Sequence, residues 1–155
     1  FPGLRLGYLV GSEPFIREAR ALRASVLRHP PGHIQRTAAY FLSFGHYDAL
    51  VRRMSNTLHG RRTVMEDAIK ANGLQIAGRG AYGGSSFWMR APDHICTGDL
   101  AIRLRAKSVL IEPVAPFFNG DAPPQNYYRL AYSSIPSTQI AAGIAHVAHE
   151  IHRMG

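Results

Sequence analysis

The first half of the chain carries helical periodicity after one short apolar stretch. Residues Leu4 to Val10 form an apolar run, interrupted by Arg5 and bounded by glycines, and this pattern predicts a buried strand. Apolar positions then recur at helical spacing between proline and glycine stops. Helices are predicted over 12–28, 34–44 and 46–72, the last ending at Asn72-Gly73.

After Gly73 the apolar pattern shortens to strand-like runs separated by turn residues. Strands are predicted at 74–77, 85–90, 109–111 and 127–133, with one helix capped by Thr97 and a last helix over 136–154. The last helix has a single apolar stripe, formed by Ile140, Ile144, Val147, Ile151 and Met154. The second half is therefore predicted as β-β-α-β-β-α, an α/β layer in which helices cover a small sheet.

The composition is that of a globular chain. With 155 residues, 46% of them hydrophobic, the sequence is long enough for one domain, or for one domain plus a piece of another. We find no apolar run of about 18 residues and no basic-then-apolar leader, so we expect neither a transmembrane helix nor secretion. The one cysteine, Cys96, fits a reducing cytoplasm. Because the sequence opens on Phe1, we expect it to be a fragment or a processed piece.

The charge is strongly positive and dispersed. The net charge is +8, from sixteen arginines and two lysines against ten acidic residues. The arginines lie in several segments and are not collected into one tail, so their attraction to nucleic acid is general and unspecific. A stand-alone basic binding module is therefore one alternative function.

Two arginines lie inside strand-like runs. In the stretch from Asn126 to Ser134, alternation places Tyr128, Leu130 and Tyr132 on one side and Arg129 on the other. A guanidinium held by a sheet can bind a carboxylate through two parallel hydrogen bonds, and an exposed edge-strand arginine is the alternative. Arg5 needs an anionic partner if its strand is buried. Structural salt bridges would explain both arginines equally well.

Other clusters favour ordinary structural explanations. The histidines of the last helix, His146, His149 and His152, fan out opposite the apolar stripe, so we interpret them as solvated and not as a metal site. The glycine-rich segment 78–84 leads into a strand and lacks the helix N-terminus of a phosphate-binding loop. Cys96 stands in no Cys-x-x-Cys pair, and the sequence has no Gly-x-Ser-x-Gly motif, so it gives no support to nucleophilic hydrolase chemistry.

Several short segments, in order along the chain, carry a family resemblance. They are Pro2-Gly3-Leu4-Arg5-Leu6-Gly7-Tyr8, the helix with Gly45-His46, Arg52-Arg53-Met54 and Arg61-Arg62, Gly83-Gly84-Ser85-Ser86-Phe87-Trp88, Val109-Leu110-Ile111-Glu112-Pro113, Phe117-Phe118, and the stretch from Asn126 to Pro136. Together they resemble fold-type I pyridoxal-phosphate enzymes of the class I/II aminotransferase family. The helix looks like the interdomain helix of the MocR/GntR-type branch.

The resemblance implies a fold, a cofactor and two site residues. The fold would be the small C-terminal domain of the aspartate-aminotransferase-like fold, an about four-stranded sheet covered by helices (46–155), with a remnant of the large domain (1–45). Arg5 would bind the phosphate of pyridoxal 5′-phosphate, and Arg129 the α-carboxylate of an amino acid. The parent reaction would transfer an amino group from an amino acid to a 2-oxo acid, and the parent protein would be a homodimer.

The same resemblance leaves two functions open. The family's Schiff-base lysine precedes the Pro-Gly-Leu-Arg segment, and neither Lys70 nor Lys107 stands in that context, so we expect this chain by itself to be inactive. Leu58 replaces the aromatic residue usual four places after Arg-Arg-Met. In the MocR/GntR-type regulators, the same domain would sense an effector, and DNA would be bound by a winged-helix module that precedes it.

Overall fold

A computed structural model describes residues 2–78, 84–118 and 122–155 of the chain. The helices are α1 (Glu13–Val26), α2 (Gly32–Ser43), α3 (His46–Ala71), α4 (Thr97–Arg105) and α5 (Ser137–Met154). The strands are β1 (Gln75–Ile76), β2 (Ser86–Arg90), β3 (Glu112–Pro113) and β4 (Tyr127–Ala131), and short 3₁₀ turns span Pro2–Leu4 and Ala115–Phe117. The glycine-rich segment singled out from the sequence lies mostly outside these ranges, at 79–83.

The chain divides into two compact units inside α3, between Arg53 and Met54. The first unit contains α1, α2 and the beginning of α3, and none of the side chains described there is buried. The second unit contains the four strands, the rest of α3, α4 and α5. Within the described ranges, no helix is long and apolar enough to cross a bilayer.

The predicted strand over 4–10 is wrong. Residues Pro2–Leu4 form a 3₁₀ turn, and the following residues through Val10 are irregular and exposed. A strand needs a neighbour to accept and donate its backbone hydrogen bonds. All four described strands belong to the second unit, so this segment has no described strand beside it in its own unit.

The helices predicted from the sequence are confirmed, and one predicted strand begins later in the chain than expected. The stop at Asn72-Gly73 is confirmed, because Gly73 adopts a left-handed φ of 65° that favours glycine. β3 begins at Glu112, after the predicted 109–111, because Ser108 has a φ of 60° and the Val109 amide donates to the Leu104 carbonyl at 3.0 Å. Val109 therefore still belongs to the turn that ends α4.

The second unit is a four-stranded antiparallel sheet with helices packed on one face. The strand order is β1-β2-β4-β3. The core-facing side chains of β2 and β4 are Phe87, Met89, Tyr128 and Leu130, and they join buried residues of the helices: Met65 and Ile69 of α3, Leu100 and Leu104 of α4, and Ile140, Ile144 and Val147 of α5. The predicted alternation of the last strand and the stripe of α5 are confirmed.

Polar contacts fix both ends of β4. Before the strand, the Asn126 amide donates to the Ala91 carbonyl at 3.0 Å and to Asp93 Oδ1 at 2.9 Å. Thr97 is not the helix cap that its position predicts, since Cys96 occupies that place. The Thr97 hydroxyl lies instead 2.8 Å from the Tyr127 carbonyl. After the strand, the Tyr132 hydroxyl donates to the Gly84 carbonyl at 3.0 Å.

One carboxylate is buried on α5. Glu150 is 2% exposed, and its Oε1 accepts hydrogen bonds from Lys107 Nζ and, at 3.3 Å, from Arg153 Nη1. The hydrogen bond from Lys107 lowers the pKa of Glu150 below its ordinary value. Because Lys107 lies in the turn after α4, this ion pair ties the end of α4 to α5.

Two buried tyrosines, Tyr128 in β4 and Tyr132 just after it, give a matched stability test. Tyr132→Phe is expected to cost about 1 kcal/mol of unfolding free energy, because it removes the hydrogen bond to Gly84. Tyr128→Phe is expected to be neutral or stabilising, because the fully buried Tyr128 hydroxyl has no hydrogen-bond partner among the described residues. Chemical denaturation of both variants checks the prediction, and equal losses would contradict it.

The buried carboxylate gives a pH-dependent prediction. Because the folded pKa of Glu150 lies below the ordinary 4.5, the ion pair stabilises the fold above pH 4.5 and loses its effect as the pH falls through the lowered value. Glu150→Gln should therefore lower the melting temperature at neutral pH, by an amount that shrinks in acid. The control is Glu66→Gln, which removes only the exposed pair with Lys70 at 3.0 Å. A difference that does not vary with pH would refute this role.

Candidate ligand-binding site

The sheet face opposite the core carries the candidate site. In the β2–β4 register Trp88 is paired with Arg129, and in the β3–β4 register Glu112 is paired with Arg129. Cross-strand partners point to the same face of a sheet. Because Tyr128 and Leu130 point into the core, the three side chains Trp88, Arg129 and Glu112 lie together on the outer face.

Arg129 forms an ion pair with Glu112. Its Nη2 donates to Glu112 Oε1 at 2.6 Å, and the side chains are 38% and 49% exposed. The hydrogen bond that Arg129 donates to Glu112 raises the pKa of Arg129, so the guanidinium is always charged. Arg129 Nε is buried and has no hydrogen-bond partner among the described residues. A carboxylate on one terminal nitrogen therefore satisfies only part of the guanidinium's donor capacity.

A cluster of aromatic rings lies beside the guanidinium. Arg129 Cζ lies 5.4 Å from the centre of the Phe117 ring, and Trp88 contacts the same ring edge-on at 5.4 Å. Trp88 also stacks on Phe118 at 6.5 Å and on Tyr127 at 6.1 Å. The Phe117 ring restricts the positions open to Arg129, and its face attracts the guanidinium charge. The guanidinium is therefore held in place and still reachable by solvent.

A cleft of about 580 Å³ opens beside the ion pair. Its lining includes Arg105, Glu112, Arg129 and Ser134, together with the first turn of α5 at Gln139. This lining carries two arginines and one glutamate, and it lies next to the positive end of a helix. Its charge therefore favours a ligand with an anionic group. The volume suits a small molecule of the size of an amino acid or larger. The cleft can therefore hold a small ligand with an anionic group near Arg129.

Arg5 lies in the first unit and is placed differently from its prediction. It is exposed, it has a left-handed φ of 50°, and it forms no ion pair with a described residue. The expectation that Arg5 lies in a buried strand beside an anionic partner is therefore wrong. The exposed guanidinium fits a phosphate contact, which is the part of a pyridoxal-phosphate site that the resemblance gives to this segment.

The remaining sequence candidates have structural explanations. His146, His149 and His152 are exposed on α5, as predicted. In the ranges that the structure describes, no three histidine, cysteine or acidic side chains are grouped to hold a metal ion. Lys70 pairs with Glu66, and Lys107 pairs with Glu150.

Glu112, Trp88 and Phe117 lie in segments that carry the family resemblance, but the sequence predicted no site role for them. Glu112 lies just after the predicted strand 109–111, so its pairing with Arg129 was not predicted. Trp88 carried a usable signal: its strand is predicted correctly, and alternation puts it on the face opposite Phe87 and Met89. The register that brings these residues to Arg129 depends on pairings between distant segments.

The four-stranded antiparallel sheet with helices on one face agrees with the fold that the resemblance implied, and sequence comparison gives the same class. The profile of the "Aminotransferase class I and II" family matches residues 1–146. The chain belongs to this family, as the resemblance implied.

Among curated proteins, the chain is similar to transcriptional regulators. It is 61% identical over 151 residues to the HTH-type transcriptional regulator TauR of Rhodobacter capsulatus, covering 97% of this chain and 31% of that protein. It is 26% identical over 144 residues to the uncharacterized HTH-type transcriptional regulator YdfD of Bacillus subtilis, covering 92% of this chain and 29% of that protein. The chain thus spans about a third of the relatives' length.

Solved structures confirm the fold. Kynurenine aminotransferase of Pyrococcus horikoshii matches with a TM-score of 0.87 at 24% identity, covering 98% of this chain and 38% of that chain. LysN, the α-aminoadipate aminotransferase of Thermus thermophilus, matches with a TM-score of 0.86 at 22% identity, covering 99% and 39%. The chain therefore has the architecture of the C-terminal part of a fold-type I aminotransferase.

Proposed function

We propose that this chain is the C-terminal part of the effector-sensing, aminotransferase-like domain of a MocR/GntR-type transcriptional regulator. The observation that carries the proposal is Arg129, which lies charged and accessible beside a cleft on an aminotransferase sheet. The regulator context is supported by the 61% identity to an HTH-type regulator. The effector would be an amino acid or a 2-oxo acid.

Arg129 would hold the carboxylate of this effector. Its two terminal nitrogens can bind a carboxylate through two parallel hydrogen bonds, a geometry that a lysine cannot reproduce. The rings of Phe117 and Trp88 limit its movement, so less side-chain entropy is lost on binding. Ser134, at the rim of the same cleft, adds a hydroxyl that can donate to the ligand.

Arg5 would contact the phosphate of pyridoxal 5′-phosphate. When bound, this cofactor supplies an electron sink for reactions of amino acids. Arg5 itself would neutralise phosphate charge and fix the position of the cofactor, and its exposed guanidinium supports this role. The lysine and the acidic residue that the cofactor also requires would belong to other parts of the complete protein.

The chain would contain parts of two domains of the parent protein. Residues 1–45 would be a remnant of the large domain, and residues 46–155 the small domain, so the beginning of α3, which the structure groups with the first unit, would belong to the small domain. The first unit leaves large apolar side chains exposed, among them Phe15, Leu22 and Val26 of α1. These would pack against the remainder of the large domain. The parent would be a cytoplasmic homodimer that contacts DNA through a separate module.

The second candidate is an enzyme that transfers amino groups between amino acids and 2-oxo acids, and the match to the aminotransferase family favours it. A regulator changes its DNA binding when an amino acid is added, whereas an enzyme converts the amino acid into the 2-oxo acid with turnover. Gel retardation and amino-transfer assays on the complete protein, with a panel of amino acids, separate the two.

The third alternative is a basic binding module. Retardation of DNA by this chain alone, weakened by salt, would indicate it.

The role of Arg129 is tested by substitution in the complete protein. Arg129→Gln is expected to weaken binding of the effective amino acid roughly 30-fold or more, the cost of removing one partner of a desolvated charge pair. Arg129→Lys should lose less, because it keeps the charge without the planar donor pair. Binding is followed through the cofactor's absorbance.

The matched control is Arg103→Gln, which removes the same charge from an exposed position on α4. It should leave binding unchanged. If Arg129→Gln behaves like this control, Arg129 does not hold the ligand.

A further inference from the structure

Arg129 already has a carboxylate on it, and that carboxylate belongs to the chain itself. Glu112 Oε1 lies 2.6 Å from Arg129 Nη2, inside the cleft that would receive the ligand. We propose that Glu112 is a specificity-determining residue whose carboxylate competes with the ligand's carboxylate for Arg129 and leaves it when the ligand binds. This inference rests on the proposed function of Arg129.

The backbone keeps Glu112 next to Arg129. The two residues are cross-strand partners in the β3–β4 pair, so the Glu112 carboxylate stays within reach of the guanidinium in the empty protein. An intramolecular partner has a high effective concentration and needs no association step. An incoming anion therefore meets an arginine whose charge is already paired with Glu112.

The contact is weak enough to be displaced. A single oxygen of Glu112 accepts a hydrogen bond from a single nitrogen of Arg129. The Glu112 side chain is 49% exposed, so it can rotate into water without leaving an unsolvated charge. Exposed ion pairs of this kind contribute little to stability. A ligand carboxylate that lies on both terminal nitrogens of Arg129 makes two hydrogen bonds where Glu112 makes one.

The competition discriminates between ligands. A plain anion has to displace Glu112 and then remain beside its negative charge, which opposes binding. A zwitterionic amino acid brings an ammonium group to which the released Glu112 carboxylate can be a counter-charge. Glu112 therefore disfavours simple anions and favours molecules that carry both charges.

The probe for this competition is acetate, a carboxylate with no second functional group. Acetate replaces chloride at constant ionic strength in the complete protein, labelled isotopically at tryptophan. The indole N–H signal of Trp88, assigned by its loss in Trp88→Phe, reports on Arg129, since the two residues are cross-strand partners. Glu112→Gln is expected to tighten acetate binding roughly two- to fivefold relative to the unmodified protein.

Two further variants control for charge and folding. Glu66→Gln makes the same charge change at the exposed Glu66–Lys70 pair and should leave acetate binding unchanged. Glu112→Asp keeps the charge but shortens the reach, and it should also tighten binding. Equal or weaker acetate binding in both Glu112 variants overturns the proposed competition.

Arg129→Gln distinguishes a failure of the proposed competition from a failure of the proposed function of Arg129. If that variant abolishes the acetate response while the Glu112 variants change nothing, the carboxylate site exists and only the competition is refuted. If Arg129→Gln leaves the response intact, Arg129 does not bind carboxylates and the proposed function fails as well.

Discussion

The pairing of β2 with β4 is the constraint on which the rest of the second unit depends. Their antiparallel register, with Trp88 opposite Arg129, assigns every side chain of both strands to one of two faces. Tyr128 and Leu130 enter the core with Phe87 and Met89, whereas Arg129 points away from it. A shift of one residue would bury the guanidinium and expose two aromatic or aliphatic side chains. The hydrophobic core therefore fixes where the charge lies.

The contacts that hold this register lie at the ends of β4. At the start of β4 the Asn126 amide donates to the Ala91 carbonyl and the Thr97 hydroxyl to the Tyr127 carbonyl, and after the strand the Tyr132 hydroxyl donates to the Gly84 carbonyl. The ion pair between the buried Glu150 and the exposed Lys107 joins the end of α4 to α5. These contacts hold the strand that carries Arg129, whose Nη2 donates to Glu112 on the outer face.

Much of this framework follows from the sequence, because it depends on local periodicity. The alternation of Tyr128, Arg129 and Leu130 and the stripe of α5 each lie within one element, and both are confirmed. The strand predicted over 4–10 failed because an apolar run becomes a strand only where another strand pairs with it, and in its own unit the structure describes none.

The composition of the site was harder to predict than its central residue. Arg129 could be found from its position in one strand and from the family resemblance. Glu112 could not, since it is distant in sequence, lies at the very start of a two-residue strand, and meets Arg129 only through the register of β3. The site roles of both Arg129 and Arg5 are proposals drawn from the resemblance and from the chemistry of exposed guanidinium groups.

The most direct test is a crystal structure of the complete protein with pyridoxal 5′-phosphate and the effective amino acid bound. The account predicts that the carboxylate of the amino acid accepts two hydrogen bonds from Arg129, and that Glu112 has turned away from it. An amino acid bound elsewhere, with the pair of Arg129 and Glu112 intact, would contradict it.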